Sequence, residues 1–140
     1  MSDNIPVRIL NAISAGRWAI VPDYLDTIIA VANRNLSDRQ AVLATPAVKR
    51  ESGKVYIRDG VAILNIGGVI FPKADIFTEI SGASSVETLA LRFGEALNAP
   101  DVKAIILHTD SPGGNITGIN EFANQIRAAR GVKPIIAYVS

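Results

Sequence analysis

The chain has 140 residues, an apolar fraction of 49% and a charged fraction of 19%. That is one globular domain or part of one, too apolar for a disordered segment and long enough to bury about two thirds of its unfolded surface. Fourteen basic residues against thirteen acidic ones give a net charge of +1 with no basic stripe, which argues against a nucleic-acid or membrane-surface binder.

No cysteine is present, so there is neither a disulfide nor a thiol nucleophile, and a single His makes a zinc or iron site improbable on ligand count. The longest charge-free run, Gly60 to Pro72, is 13 residues and carries three glycines, an Asn and a Pro. A membrane-spanning helix needs about 20 apolar residues. Met1 to Pro6 has no basic segment before an apolar core, so it does not read as a secretory signal. The chain is expected to be soluble and to stay in the compartment where it is made.

In chain order, residues 5–15 read as a short helix, with Ile5, Ile9, Ala12 and Ile13 on a helical spacing. Pro22 opens a second helix with Leu25, Ile28, Ile29 and Ala32 on one face. Ser37 and Gln40 fit a capping box for a third, and Pro46 to Lys54 reads as a linker. The expected division is an N-terminal helical segment, 1–50, and an α/β unit, 51–140. In the second part Val55 to Arg58 and Val61 to Ile66 flank Asp59-Gly60, the pattern of a tight β-hairpin. The apolar run from Val61 to Leu64 suggests a strand covered on both faces.

Residues 73–84 read as a loop. Ser84 and Glu87 form another capping box, and the helix they start places Val86, Leu89, Ala90, Phe93 and Leu97 on one face before Asn98 and Pro100 stop it. Val102 to Leu107 is a strand, and Asp110-Ser111-Pro112-Gly113-Gly114 a turn. Residues 117–130 form a helix with Ile119, Phe122, Ala123 and Ile126 inward, and Pro134 to Val139 is a last apolar strand. Strands alternating with helices predict an α/β fold with a mostly parallel sheet. A last strand this apolar wants a neighbour, so a fragment or a domain completed by another chain is expected.

The Asp110–Gly114 turn is the sharpest feature. Two adjacent glycines between a strand and a helix can present backbone N–H groups to an anion or oxyanion, or can simply make a βα turn. Gly67-Gly68-Val69-Ile70 can admit a peptide as an added strand, or can mark a bulge. His108, Asp110 and Ser111 contain the residue types of a triad, but three near neighbours in extended chain diverge rather than converge. Asp110 is better placed to fix the turn. None of Lys49, Lys54, Lys73, Lys103 and Lys133 has a setting suited to a lowered pKa.

The run from Lys103 through Ser111-Pro112-Gly113-Gly114 to Gly118, with the helix after it and Lys133-Pro134-Ile135-Ile136-Ala137-Tyr138-Val139, resembles the signal peptide peptidase A (protease IV) family of serine peptidases. The S-P-G-G turn also occurs in the Clp proteolytic subunit, which shares a fold with the crotonases. Arg17 to Pro22, with Leu25 and Ile28, looks like the phage branch of the family, which acts in capsid assembly and head maturation.

The resemblance implies a Clp protease/crotonase-like spiral of βαβ units and a Ser/Lys dyad. It implies an oxyanion hole using the N–H of Gly113 or Gly114, a substrate strand near Gly67, Gly68, Val69 and Ile70, and a structural role for Asp110, Ser111 and Pro112. No cofactor and no metal are expected. The nucleophile of such enzymes follows the strand that matches Pro134 to Val139, and the lysine comes later, so Ser140 falls too early to be that serine. The chain is therefore expected to carry the oxyanion half without the reacting half, and to be inactive alone. Expected partners are a polypeptide substrate, further copies in a ring, and phage capsid or scaffold proteins, in the bacterial cytoplasm or the prohead. A non-catalytic scaffold module on the same fold and a small acyl-CoA or nucleotide binder are the alternatives.

Overall fold

The computed structural model describes residues 11, 13–33, 52–74 and 83–140. The expected third helix at Ser37, most of the first helix expected over 5–15 and of the linker after Pro46, and residues 75–82 of the loop expected over 73–84 lie outside them. The described strands are β1 (Trp18–Ile20), β2 (Val55–Arg58), β3 (Val61–Gly67), β4 (Ile70–Phe71), β5 (Ser84–Ser85), β6 (Ala104–Asp110), β7 (Gly113–Asn115) and β8 (Ile135–Val139). With them run α1 (Pro22–Asn33), α2 (Val86–Asn98) and α3 (Ile119–Ala129). This is the α/β arrangement expected, in two four-stranded sheets of order β2-β3-β6-β8 and β1-β7-β4-β5. Among the described residues, no helix is long and apolar enough to cross a membrane.

The first sheet begins with the hairpin at Asp59-Gly60. Both turn residues have positive φ, 52° and 78°, and two consecutive left-handed residues match the right-handed twist of the strands they join. β2 is antiparallel to β3, while β3, β6 and β8 are mutually parallel. Helices α2 and α3 lie in the β3–β6 and β6–β8 connections.

The core lies on one face of this sheet. Ala62 and Leu64 of β3 and Ile105 of β6 are fully buried, against Leu89 and Phe93 of α2. Phe122 of α3 meets Phe93 edge to face with centroids 6.0 Å apart. Each of the large side chains contributes about 1.5–3 kcal/mol by leaving water. The other face is only half covered among the described residues: burial alternates along β3, and Ile136 and Tyr138 of β8 are exposed. The run at Val61 to Leu64 was expected to be covered on both faces, but its apolar composition did not reveal which side the helices take.

Smaller corrections follow from local hydrogen bonding. The cap of α2 is Ser85, not Ser84: the Ser85 hydroxyl accepts the Thr88 N–H at 3.1 Å. Ser84 is buried and bonds the Gly67 backbone instead. In α3, Phe122 and Ala129 are buried and Ile126 packs half-buried against the core, as expected for Phe122 and Ile126, but Ile119 and Ala123 are exposed: the packed stripe is the narrow line Phe122–Ile126–Ala129. Lys133 is not a freely solvated strand end. Its ammonium donates to the carbonyls of Ala96 (3.2 Å) and Ala99 (2.7 Å), which lie in and just past the last turn of α2 and lack helical N–H partners.

β3 and β6 leave the first sheet together. β3 continues into β4 through Gly68 (φ 63°), and β6 continues into β7 through Ser111-Pro112. The parallel pairing β3·β6 becomes β4·β7, with Gly67 opposite Asp110 before the corner and Ile70 opposite Gly114 after it. That corner positions the site.

Candidate functional site

The corner is held by backbone and by one hydroxyl. Gly68 N–H donates to the Asp110 carbonyl at 3.0 Å. The Ser111 hydroxyl donates to the Gly68 carbonyl at 2.6 Å and accepts the Gly113 N–H at 3.2 Å. Ser111 thus locks the turn to the neighbouring strand. Pro112 cannot donate, and its carbonyl accepts the Val21 N–H at 3.0 Å.

The two glycines are required by what lies against them. Gly113 has φ 107°, and a Cβ there would collide with the Ala19 carbonyl oxygen. A Cβ on Gly114 would collide with the Ile70 backbone. β7 is therefore clasped between β4 on one side and β1 on the other.

The β1·β7 ladder is antiparallel, pairing Trp18 with Asn115, Ala19 with Gly114 and Ile20 with Gly113. Val21 N–H to the Pro112 carbonyl and Ile116 N–H to the Arg17 carbonyl, both 3.0 Å, bracket these pairs. Hydrogen-bonded pairs recur at every second residue of an antiparallel ladder, so Ala19 and Gly114 are the bonded pair between them. The Gly114 N–H thus meets the Ala19 carbonyl, and the Gly113 N–H meets the Ser111 hydroxyl. Both candidate oxyanion donors are engaged within the chain.

The structure brings Gly67, Gly68 and Ile70 beside Asp110, Ser111 and Gly114, as one corner. The stretch from Gly67 to Ile70 does not present an open edge: β4 lies between β7 and β5, and the Val69 carbonyl accepts the Ser84 N–H at 3.0 Å. The free side of β7, away from β4, is the one that β1 fills.

His108, Asp110 and Ser111 do not form a triad. The imidazole Nδ1 lies 3.1 Å from the Asn65 Oδ1, Nε2 lies 3.3 Å from the Ser140 hydroxyl, and the ring packs on Tyr138 at 5.3 Å. Ser111 bonds the corner instead. The His108 cluster forms because Asn65, His108 and Tyr138 occupy one register across β3, β6 and β8.

Sequence reasoning missed two features. One is β1: Trp18-Ala19-Ile20 is short, and its partner lies far along the chain. Its signal was the apolar, β-prone composition ahead of Pro22. The other is Ser84, whose hydroxyl donates to the Gly67 carbonyl (2.9 Å), accepts the Gly67 N–H (3.0 Å) and touches the Ser52 hydroxyl.

No family model matches the chain. Over 114 residues it is 28% identical to capsid assembly protease C of Escherichia phage lambda. The alignment covers 77% of this chain and 26% of that protein, so the chain spans about a quarter of its relative's length. This likeness supports a relationship to a phage capsid protease.

Proposed function

We propose that this chain is the N-terminal part of a serine endopeptidase that acts in phage capsid maturation. The observation that carries the reading is the corner at Ser111–Gly114, in a chain similar to a capsid assembly protease. In this reading the βαβ units belong to a Clp protease/crotonase-like spiral, preceded by the segment 1–50. The Gly114 N–H, once freed from Ala19, stabilises the oxyanion of a tetrahedral intermediate, while Ser111 keeps the Gly113 N–H and, with Asp110 and Pro112, holds the turn in place. Removing one such donor costs about 100- to 1000-fold in turnover in serine peptidases.

The serine nucleophile and the lysine base lie outside these 140 residues, and the chain alone is inactive. The substrate is a capsid or scaffold polypeptide, taken up as an added strand. The exposed edge strand β8, with Ile136, Tyr138 and Val139 on the surface, suits closure by further polypeptide or by another copy in a ring. The same edge is what a non-catalytic assembly module would use.

The test is co-expression of the product of the native reading frame with the scaffold and shell proteins of the same phage. Shortened scaffold protein on gels, with cut sites defined by mass spectrometry, is expected. Intact scaffold beside properly assembled shells would favour the assembly module.

A further inference from the structure

The strand at Trp18–Ile20 occupies the edge at which a peptide would have to lie to reach the candidate oxyanion donors. A carbonyl aimed at the Gly114 N–H must come from chain running beside β7, and β4 already takes the other side. In the structure that carbonyl belongs to Ala19. We propose that residues 17–21 are a displaceable, substrate-like strand that closes the peptide-binding edge of β7 in cis. The inference rests on the peptidase reading for the meaning of the site, and on the ladder alone for the occupancy.

Three observations support displacement over a permanent structural role. The strand is three residues long and sits at the edge of its sheet. Its segment contributes nothing to the hydrophobic core, which is built from residues of β3, β6, α2 and α3 and of the turns beside them. Ala19 is exposed, and so are Val21 and Tyr24 just after it, at 49% and 51%. Local opening is easiest where few apolar contacts hold a segment and its backbone bonds are near solvent.

The occupant also indicates what the edge prefers. Trp18 and Ile20 are half-buried and face inward, while Ala19 points out. Trp18 meets Phe71 edge to face at 5.8 Å, and its indole N–H donates to the Ile13 carbonyl at 2.9 Å. The matching ligand is an extended peptide with large apolar residues at alternate positions around a small one. Main-chain bonds give such a peptide its hold and the alternate pockets its selectivity.

The probe is fluorescent acetyl-Arg-Trp-Ala-Ile-Val-amide, read by anisotropy against the unaltered chain and Ala19→Pro. Proline removes the Ala19 N–H from the ladder and frees the edge. A cis competitor lowers apparent affinity by the fraction of time the edge is open, so about tenfold or tighter binding to Ala19→Pro is expected. Equal binding to both, or to neither, by a variant with unchanged circular dichroism would overturn the proposal.

Hydrogen exchange on the unaltered chain gives a second readout that needs no variant. The amides of Ala19, Val21, Gly114 and Ile116 are expected to exchange about 100-fold faster than those of Leu64 and Ile105. Equal protection would mark β1 as a permanent strand and overturn the proposal. Neither readout requires turnover, so failure of the peptidase reading leaves both unchanged.

Discussion

Ala19 stands opposite Gly114 as a hydrogen-bonded antiparallel pair, nearly a hundred residues away in sequence. The strands on either side of β7 explain why residue 113 and residue 114 must both be glycine. The backbone of β1 passes over the first and that of β4 over the second.

Gly113→Ala combines a strained left-handed backbone with a collision against Ala19. Its cost is expected to be about 3 kcal/mol or more, read by urea denaturation. Gly131→Ala is the control: nothing lies within 4 Å of its Cβ. That substitution is expected to stay within about 0.5 kcal/mol of the unaltered chain.

Ser111→Ala removes the hydroxyl that ties Gly68 to Gly113. Both backbone groups are half-buried, and a loss of about 1–2 kcal/mol is expected by thermal unfolding. Because Ser111 is a positioning residue in this account, Ser111→Ala in the full reading-frame product is expected to lower scaffold cleavage without abolishing it. Complete loss of cleavage in a folded variant would make Ser111 the nucleophile.

Ser84→Ala and Ser85→Ala are expected to differ although the residues are adjacent. Ser84 is 1% exposed and satisfies both polar groups of Gly67, so its loss leaves a buried N–H unpaired at about 1–3 kcal/mol. Ser85→Ala loses a helix cap, about 1 kcal/mol. A helix-content change on heating is expected for the second and not the first.

Among the described residues, the first sheet has one packed face and one only half covered. Ile105→Ala is expected to cost about 2–5 kcal/mol, because Ile105 is fully buried. Ile136→Arg, at 60% exposed, is expected to change stability by less than about 0.5 kcal/mol in this chain. In the complete assembly the same Ile136→Arg is expected to block closure of that edge, seen as a smaller species by light scattering.

Much of the fold was legible in the sequence because its signals are local. Asp59-Gly60 between two β-prone runs marks the hairpin, and Leu89 with Phe93 at helical spacing marks the packed face of α2. The Ser111–Gly114 turn was legible as a candidate site for the same reason. What was not legible depends on partners distant in the chain. The pairing of Ala19 with Gly114 and the capture of Ser84 by Gly67 leave no periodic trace. The cap at Ser85 was misplaced by one residue because Ser84 and Ser85 carry the same chemistry, and tertiary bonding decides between them.

The measurement closest to the central claim is labelling of the full reading-frame product with a fluorophosphonate, followed by mass spectrometric mapping of the modified residue. The account predicts one labelled serine outside residues 1–140, loss of scaffold cleavage on labelling, and a sharp fall in labelling rate when Gly114 is replaced in a variant that still folds. Modification of Ser111, or scaffold cleavage that continues with no serine labelled, would contradict it.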